Sequence, residues 1–319
     1  MVSVTNNTKN FIECNDTPLV VYGAGVSGYW TGYYLKKCDI DFDCYIDKGI
    51  EREGALYGGK PVYHPHRMLE YSGGSLRVII ASAHYEVILA DIMWLTRQHD
   101  LKILCLIPRY KVADQDLTDI NQMLGYFRQY LIRTEIPTIF STDCSAGVLY
   151  SWLGWEIASP TINTAIEHED LVKLCTRPYH YLSLPLGKIE MSKLHRSTAF
   201  PPFGECHPQG IIDDIRVNFG HSNDAEKSKE FWNMMRTRVN LNRVIAVMTE
   251  YKGSVPLSVM REFAQLKIEK MFLYIRNPHG VDFPSIVKLP ATVFLDRSTV
   301  LEDTFDLVGW INGDYKLKQ

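Results

Sequence analysis

The sequence predicts an α/β protein with a parallel sheet in its first half and a second α/β domain in its second half. Short apolar runs of strand length alternate with helical patterns along the chain, which is typical of parallel sheets. A glycine-rich turn, G-x-G-x-x-G, follows the first complete run. The strand–turn–helix opening then recurs after residue 137, so 319 residues are expected to form two domains.

The glycine turn is the most informative stretch. A buried strand is predicted at residues 19–22, and Gly23, which follows it, permits a tight turn. Gly25 lets a pyrophosphate approach the backbone, Gly28 lets helix and strand pack closely, and the helix N-terminus attracts phosphate. Asp47, at the end of the next strand, is placed to hold ribose hydroxyls. These four residues predict a cofactor-binding site in a Rossmann-like domain; alternatively, the glycines serve packing alone.

The rest of the first half contains short elements. Residues 1–17 are polar and are expected to be loosely held. Glycines flanking residues 55–57 and 61–63 predict a hairpin. A long amphipathic helix is expected from Leu117 to Leu131. Further elements are expected at 65–71, 76–81, 83–99 and 102–107. The predicted domain boundaries are 1–17 for the N-terminal segment, 18–136 for the nucleotide-binding domain and 137–319 for the C-terminal domain.

The second half repeats the alternation of strands and helices. It opens with a strand at 138–140 and a helix that ends at Gly154. Ile215, Val217 and Phe219 alternate with polar residues, which predicts a strand with one buried face. The remaining predicted helices are 169–175, 222–240 and 256–266, and the remaining predicted strands are 243–249 and 271–275.

Composition excludes several classes of function. The net charge of −3, from 34 basic and 37 acidic residues, does not indicate binding to nucleic acid or to an anionic membrane. Seven cysteines without a C-x-x-C pair argue against a disulfide framework and indicate reduced thiols in the cytoplasm. His64 and His66 lack nearby partners for zinc, and no metal is expected. We find neither the apolar core of a signal peptide nor a membrane-length apolar run. Homo-oligomer formation stays open.

Four short motifs in the second half resemble one bacterial family. They are S-T-D-C at Ser141–Cys144, S-P at Ser159–Pro160, F-G-H at Phe219–His221 and W-N-x-x-R-x-R-x-N at Trp232–Asn240. Over residues 136–319 this pattern resembles domain-of-unknown-function family number 1919 (DUF1919), which is linked with exopolysaccharide and capsule biosynthesis. Members commonly read S-N-N-C where this chain reads S-T-D-C. The resemblance implies a sugar or nucleotide-sugar context, and no established chemistry comes with it.

The first half resembles a different group. In the Rossmann-like N-terminal domains of some sugar O- and N-acyltransferases, an acid after the second strand precedes a glycine-rich hairpin that ends in G-x-P-V. Gly59–Val62 is similar to that ending. The resemblance implies that the ligand is a nucleotide sugar rather than a redox dinucleotide.

Two residues in the second half are candidates for catalysis. Cys144 lies between a predicted strand and a predicted helix, where helix N–H groups would lower the pKa of a thiol and make it nucleophilic. His221 also follows a strand and could serve as a general base. The alternatives are a buried, inert cysteine and an exposed histidine at a helix start.

Three more residues are predicted to bind substrate. Arg236 has the apolar wall of Trp232 one helical turn away, which favours it as an anion ligand over Arg238, although a surface salt bridge is the alternative. Glu250 and Arg276 each follow a predicted strand. If all these strands are parallel in one sheet, their carboxyl ends share an edge, and Glu250 and Arg276 would line one crevice with the catalytic pair. The alternative is that the strand at 215–219, whose clean alternation is more typical of an antiparallel or edge strand, turns His221 to the opposite side.

These observations lead to one functional interpretation with two alternatives. We expect a cytoplasmic protein that binds a nucleotide sugar or dinucleotide and acts as a transferase on a sugar in bacterial polysaccharide synthesis. The first alternative is an NAD(P)-dependent sugar oxidoreductase, against which the sequence lacks a Tyr-x-x-x-Lys pair placed for hydride chemistry. The second is a non-catalytic nucleotide-sensing or assembly subunit. The cofactor, the substrate and the reaction are left open.

Overall fold

The computed structural model of the chain divides into two compact units, which are described separately. Unit 1 comprises Met1–Arg133 and Ser151–Gly154, and unit 2 comprises Thr134–Tyr150 and Trp155–Gln319. The described residues are 1–13, 16–97, 99–107, 109–112, 115–118, 120–192, 207–250, 254–274, 286–288 and 306–313. Within them the chain is a mixed α/β protein, as the sequence predicts.

Unit 1 is built on a seven-stranded, mostly parallel sheet. Its strands are β1 (Val2–Thr5), β2 (Leu19–Tyr22), β3 (Cys44–Ile46), β4 (Ala55–Tyr57), β5 (Lys60–Tyr63), β6 (Ser75–Ile80) and β7 (Lys102–Leu106). They lie in the order β1-β7-β6-β2-β3-β5-β4, and β4 runs antiparallel to β5. Every residue of β2 and β3 is buried, which explains their unbroken apolar sequences. The direction of strand addition reverses at β2, where open α/β sheets bind ligands.

The helices of unit 1 follow the sequence pattern closely. They are α1 (Thr8–Ile12), α2 (Val26–Lys37), a 3₁₀ helix (Pro65–Tyr71), α3 (Tyr85–Leu95) and α4 (Ile120–Leu131). The expectation that the amphipathic helix begins at Leu117 is wrong. Leu117 pairs with Tyr110 in a separate two-stranded hairpin, β8 (Arg109–Val112) and β9 (Gln115–Thr118). Its spacing to Ile120 matches a helical period, but the backbone is extended there.

The N-terminal residues are fixed, contrary to the expectation of a loosely held segment. β1 lies at the edge of the sheet and pairs in parallel with β7. Phe11 is 1% exposed, and the buried guanidinium of Arg77 donates to the carbonyl oxygens of Phe11 at 3.1 Å and Thr17 at 2.9 Å. Backbone pairing and one aromatic anchor therefore hold a segment whose composition is polar.

Unit 2 contains two four-stranded sheets. Its strands are β10 (Thr138–Ser141), β11 (Ala165–Ile166), β12 (Ile189–Ser192), β13 (His207–Ile212), β14 (Ile215–Asn218), β15 (Val244–Thr249), β16 (Glu269–Tyr274) and β17 (Ile286–Lys288). The order β10-β15-β16-β17 is parallel throughout, whereas β11-β14-β13-β12 is antiparallel.

β14 does not share a parallel sheet with β10 and β15; the structure has the alternative that its alternating sequence favours, an antiparallel strand. Asp213 and Asp214 form a two-residue turn between β13 and β14, with Asp213 at φ 54°, in the left-handed region that tight hairpins use. The alternating apolar residues of β14 face the core of unit 2, where Ile215 and Val217 are fully buried.

The helices of unit 2 cover these sheets. They are α5 (Ser145–Leu153), whose last three residues are grouped with unit 1, α6 (His168–Thr176), α7 (Pro178–Ser183), α8 (Ala225–Met235), α9 (Leu257–Gln265) and α10 (Leu307–Ile311). α8 is shorter than the predicted 222–240 at both ends. It begins after Asp224, which caps it by accepting the N–H of Lys227 at 3.1 Å, and it ends at Met235. Trp232 of α8 and Phe263 of α9 are fully buried in the same core.

Candidate functional site

The candidate catalytic site lies where β10 and β15 end at the same edge of the parallel sheet of unit 2. Ser141, the last residue of β10, pairs with Val247, and β15 continues to Thr249. The turn after β10 therefore runs beside the last residues of β15. This edge, at the carboxyl ends of parallel strands, is where α/β sheets place their ligands.

Cys144 is the accessible thiol at this edge. It is half-buried and immediately precedes α5, whereas the other described cysteines, at positions 38, 44, 105 and 175, are buried. Its Sγ lies 2.9 Å from Nε2 of His221. A nucleophile and a base at hydrogen-bond distance can exchange a proton directly. Cys14 and Cys206 lie outside the described residues.

His221 reaches Cys144 from the antiparallel sheet rather than from the parallel one. It lies in a turn after β14, in which the N–H of Ser222 donates to the carbonyl of Phe219 at 3.0 Å. His221 is exposed overall, and its partial burial lowers the pKa of the ring below its usual value. The neutral ring, which can accept the proton of a thiol, is therefore the main form at neutral pH.

Asp143, the residue before Cys144, is a structural anchor. Its carboxylate is 5% exposed and accepts hydrogen bonds from the N–H of Ser145 at 2.9 Å, from the hydroxyl of Ser145 and from the hydroxyl of Thr249. The side chain therefore joins the start of α5 to the end of β15. These bonds fix the backbone on both sides of Cys144.

A second set of hydrogen bonds reinforces this junction. The hydroxyl of Thr142 accepts the N–H of Thr249 at 3.1 Å and lies 3.3 Å from the Thr249 hydroxyl. Nε2 of His168, at the start of α6, lies 2.9 Å from the carbonyl oxygen of Thr249. Both threonines are buried, so the hydrogen bonds between them are shielded from water.

The outer side of β10 is covered by the segment Ser159–Thr164, whose role the sequence reasoning missed. Thr161 is fully buried and accepts the N–H of Ser141 at 3.1 Å. Two residues later, Asn163 is exposed and has a φ of 55°, in the left-handed region. The sequence does contain a signal for this segment, namely the residues that follow Ser159–Pro160. The family resemblance rests on the Ser-Pro pair alone and leaves those residues out.

The remaining predicted site residues of unit 2 are placed differently. Glu250 directly follows β15 at the same edge and is buried. Arg236 lies just past α8, where its guanidinium donates to the carbonyls of Leu182 at 2.7 Å and Ser183 at 3.2 Å, so it ties α8 to α7 instead of forming a surface salt bridge. Arg276 lies outside the described residues.

In unit 1 the glycine turn connects β2 to α2. Gly23 has a φ of 114°, and Gly25 is the N-cap of α2 with open space where a Cβ would stand. A Cβ on Gly28 would stand 1.9 Å from the carbonyl oxygen of Gly23. The three glycines thus provide a tight turn, an open approach and close packing, respectively.

Asp47 contacts this turn directly. One carboxylate oxygen accepts the N–H of Ala24 at 2.7 Å, and the other accepts the N–H of Gly49 at 2.8 Å. From the β4–β5 hairpin, Tyr57 donates its hydroxyl to the carbonyl of Gly25 at 3.1 Å. Asp47 is half-buried, so its carboxylate keeps acceptor capacity toward solvent at the end of β3.

Comparison with protein families identifies the second half of the chain. The profile of the family described as a domain of unknown function, DUF1919, matches residues 118–316, which is more than half of the sequence. The chain belongs to the DUF1919 family. The matched range includes Cys144, His221 and the whole edge segment Ser159–Thr164, as well as α4 of unit 1.

One relative extends the comparison. An uncharacterized protein from Haemophilus influenzae is 20% identical over 178 residues, which is 56% of this chain and 78% of the relative. Like the DUF1919 family, it carries no assigned activity.

Among the described residues, no group of three or more His, Cys, Asp and Glu side chains is arranged to hold a metal ion. In the same part of the chain, every helix is too short or too polar to cross a membrane.

Proposed function

We propose that this DUF1919 protein is a transferase that acts on a nucleotide-linked sugar, with Cys144 as nucleophile and His221 as base. The observation that carries the proposal is the 2.9 Å separation of their side chains at the carboxyl edge of a parallel sheet. The sugar and the context of bacterial surface polysaccharide rest on the sequence resemblance. An accessible thiol at the site is consistent with a reducing, cytoplasmic location.

The surroundings of the pair support a catalytic role. Cys144 is accessible, and the Asp143 carboxylate holds the backbone around it. His221 is largely neutral near pH 7 because burial lowers its pKa. An accessible thiol, a neutral base in contact with it and a rigid backbone are the requirements for nucleophilic catalysis.

The glycine turn of unit 1 supports the proposal of a nucleotide ligand. The open space at Gly25 and the N-terminus of α2 suit a diphosphate, and Asp47 can accept ribose hydroxyls. The Rossmann-like resemblance supports the same assignment. A nucleotide sugar and a redox dinucleotide share these groups, and the Cys144–His221 pair favours group transfer over hydride transfer.

The catalytic proposal is tested by turnover on a panel of nucleotide sugars with candidate acyl donors and sugar acceptors. We expect Cys144→Ser and His221→Gln each to reduce turnover by a factor of about 1,000 or more. His180→Gln is the matched control, because His180 is an exposed histidine of the same unit that pairs with Asp213 at 2.8 Å. Full turnover by the Cys144 variant would refute the proposal.

The nucleotide site is tested by thermal shift with uridine- and adenine-containing nucleotides at millimolar concentration. Binding to the native state raises the apparent stability. We expect Asp47→Asn to reduce this shift, and Asp41→Asn to leave it unchanged. Asp41 is an exposed carboxylate in the same unit, paired with Lys60 at 2.7 Å. If no nucleotide stabilises the wild-type protein, the glycine turn serves packing alone.

A further inference from the structure

We propose that the Asn163 carboxamide and the N–H of Gly147 form an oxyanion site beside Cys144, so that the transferred group is an acyl group carried as a thioester. This inference rests on the transferase function proposed above and names its donor class, an acyl thioester or activated ester. The oxyanion is the negatively charged oxygen that develops when a thiolate attacks a carbonyl carbon.

Asn163 lies over the accessible face of α5 that carries Cys144. At the start of this helix, Cys144, Gly147 and Val148 are partly exposed, while the residues between and after them are buried. The spacing i, i+3, i+4 places these three residues on one face. Oδ1 of Asn163 stands 4.0 Å from the position of a Cβ built on Gly147. Because Cα–Cβ bonds in a helix tilt toward its N-terminus, this position is on the side of Cys144.

The carboxamide is held in place by the segment to which it belongs. Thr161 accepts the N–H of Ser141 and donates to the carbonyl of Ile139 at 3.3 Å, which fastens the segment to β10. The hydroxyl of Thr164 donates to the carbonyl of Thr161 at 2.9 Å. Between these anchors, Asn163 adopts its left-handed φ of 55°. Asparagine tolerates this region better than most residues, so the residue type and the two anchors together account for the conformation.

The first turn of α5 leaves one donor for a ligand. The N–H groups of Ser145 and Ala146 donate to the side chains of Asp143 and Ser141, and the N–H of Val148 donates to the carbonyl of Cys144 at 3.2 Å. Among the described residues, the N–H of Gly147 has no acceptor of this kind.

Two donors can therefore converge beside Cys144. Helix N–H groups point toward the N-terminal end, which is the end where Cys144 lies. A half-turn of the Asn163 carboxamide places its NH₂ group where Oδ1 stands, so that it too can donate. Each of the two groups then supplies one hydrogen bond to the developing oxyanion.

The reaction balances with these groups and an acyl thioester donor. His221 takes the thiol proton, the sulfur of Cys144 bonds to the carbonyl carbon, and the C=O electron pair moves to the oxygen. The oxyanion collapses, the donor thiolate leaves, and His221 returns the proton to it. A sugar hydroxyl then attacks the thioester and gives its proton to His221. The C–S bond breaks, the ester leaves, and His221 reprotonates the sulfur of Cys144.

Two reagents that react with the same sulfur separate oxyanion stabilisation from thiol activation. p-Nitrophenyl acetate acylates a thiol through a tetrahedral oxyanion, whereas iodoacetamide alkylates it by direct displacement without one. The variant Asn163→Gly removes the carboxamide and tolerates the left-handed backbone. We expect its acylation rate at Cys144 to fall about 100-fold and its alkylation rate to stay within about 2-fold. Peptide mass spectrometry locates both adducts.

The matched control is Asp213→Gly, which relieves another left-handed residue of unit 2 and should change neither rate. Equal loss of acylation and alkylation in Asn163→Gly would assign the residue to thiol activation or to packing, and unchanged acylation would show that it does not act at all. Either result overturns the oxyanion site and leaves the nucleophile proposal standing. If Cys144 of the wild-type protein reacts with neither reagent, the nucleophile proposal itself falls.

Discussion

In each unit an aspartate at one edge of the parallel sheet binds the turn that follows a strand, but the consequences differ between the two units. In unit 1, Asp47 follows β3 and accepts the N–H of Ala24 in the glycine turn. In unit 2, Asp143 follows β10 and accepts the N–H of Ser145 at the start of α5. Each carboxylate thus fixes the turn between a parallel strand and a helix.

The difference lies in burial and in the second partner. Asp143 is 5% exposed, and its other oxygen accepts the hydroxyl of Thr249, so the carboxylate is enclosed by protein donors. Asp47 is half-buried, and its other oxygen accepts the N–H of Gly49 at an exposed position. A carboxylate open to solvent can still accept a ligand hydroxyl, whereas an enclosed one can only position its neighbours. This contrast is the reason that we propose a binding edge in unit 1 and a preorganised edge in unit 2.

The largest expected effect is at the glycine turn of unit 1. In Gly28→Ala the new Cβ meets the carbonyl oxygen of Gly23, and this backbone atom cannot move aside without shifting β2. We expect a loss of about 3 kcal/mol in the free energy of unfolding, measured by urea denaturation. Gly25→Ala is the control, because nothing lies within 4 Å of its new Cβ and its φ of −90° suits alanine.

The two variants Gly25→Ala and Gly28→Ala also separate the roles of these two glycines. If Gly25→Ala leaves stability unchanged but abolishes a nucleotide-dependent thermal shift, Gly25 serves the ligand and Gly28 serves the fold. Equal stability of both variants would contradict the packing role given to Gly28.

Most elements of unit 1 could be predicted from the sequence because their signals are local. The strand–glycine–helix order and the hairpin near Gly58 are each set by a few adjacent residues, and the structure contains both. The structure of residues 1–12 could not be predicted from local sequence, because it depends on pairing with β7 and on the contact between Phe11 and Arg77. Such partners lie far away in the sequence, and no local pattern records them.

The second effect contrasts the two aspartates directly. Asp143→Ala leaves the buried N–H and hydroxyl of Ser145 and the hydroxyl of Thr249 without their acceptor. We expect a loss of about 2 kcal/mol in unit 2, since buried donors lose their compensation for desolvation. Asp47→Ala should cost about 1 kcal/mol in unit 1, because water can replace the lost acceptor there.

Hydrogen exchange measures these losses in each unit separately. Protection should fall in β10 and β15 for the Asp143 variant, and in β2 and β3 for the Asp47 variant. A larger loss for Asp47→Ala than for Asp143→Ala would reverse the distinction between the binding edge and the preorganised edge.

The candidate site of unit 2 was only partly predictable from sequence. Cys144 was found because it lies between a strand and a helix, and its partner was found because His221 also follows a strand. The condition of one shared parallel sheet is not met, since β14 belongs to the antiparallel sheet, as its alternating sequence already suggested. The placement of one sheet relative to the other is not encoded in local sequence, so the contact between His221 and Cys144 did not follow from that alternation. Asn163 was missed because its importance depends on a segment fastened to the outside of β10 by Thr161.

The third expected effect is the pH dependence of thiol reactivity at the preorganised edge. We compare the rate of Cys144 alkylation by iodoacetamide in the wild-type protein and in His221→Gln. At pH 7 an ordinary thiol is only a few per cent thiolate, and His221, largely neutral because burial lowers its pKa, can accept the proton. We expect the wild-type rate to exceed the variant rate about 10-fold, or about 1.4 kcal/mol.

The ratio of the two rates should depend on pH in a defined direction. Below the lowered pKa of His221 the ring carries a proton and cannot accept another, so the advantage of the wild-type protein disappears as the pH falls past that value. An ordinary thiol ionises without a base above about pH 8.5. A base adds nothing once the thiol is ionised, so the ratio of the two rates should approach one again at alkaline pH. The ratio should therefore peak near neutral pH, and His180→Gln should follow the wild-type profile. A ratio of one at every pH would show that the 2.9 Å contact between Cys144 and His221 does not activate the thiol. The proposal that the preorganised edge of unit 2 is catalytic would then be wrong.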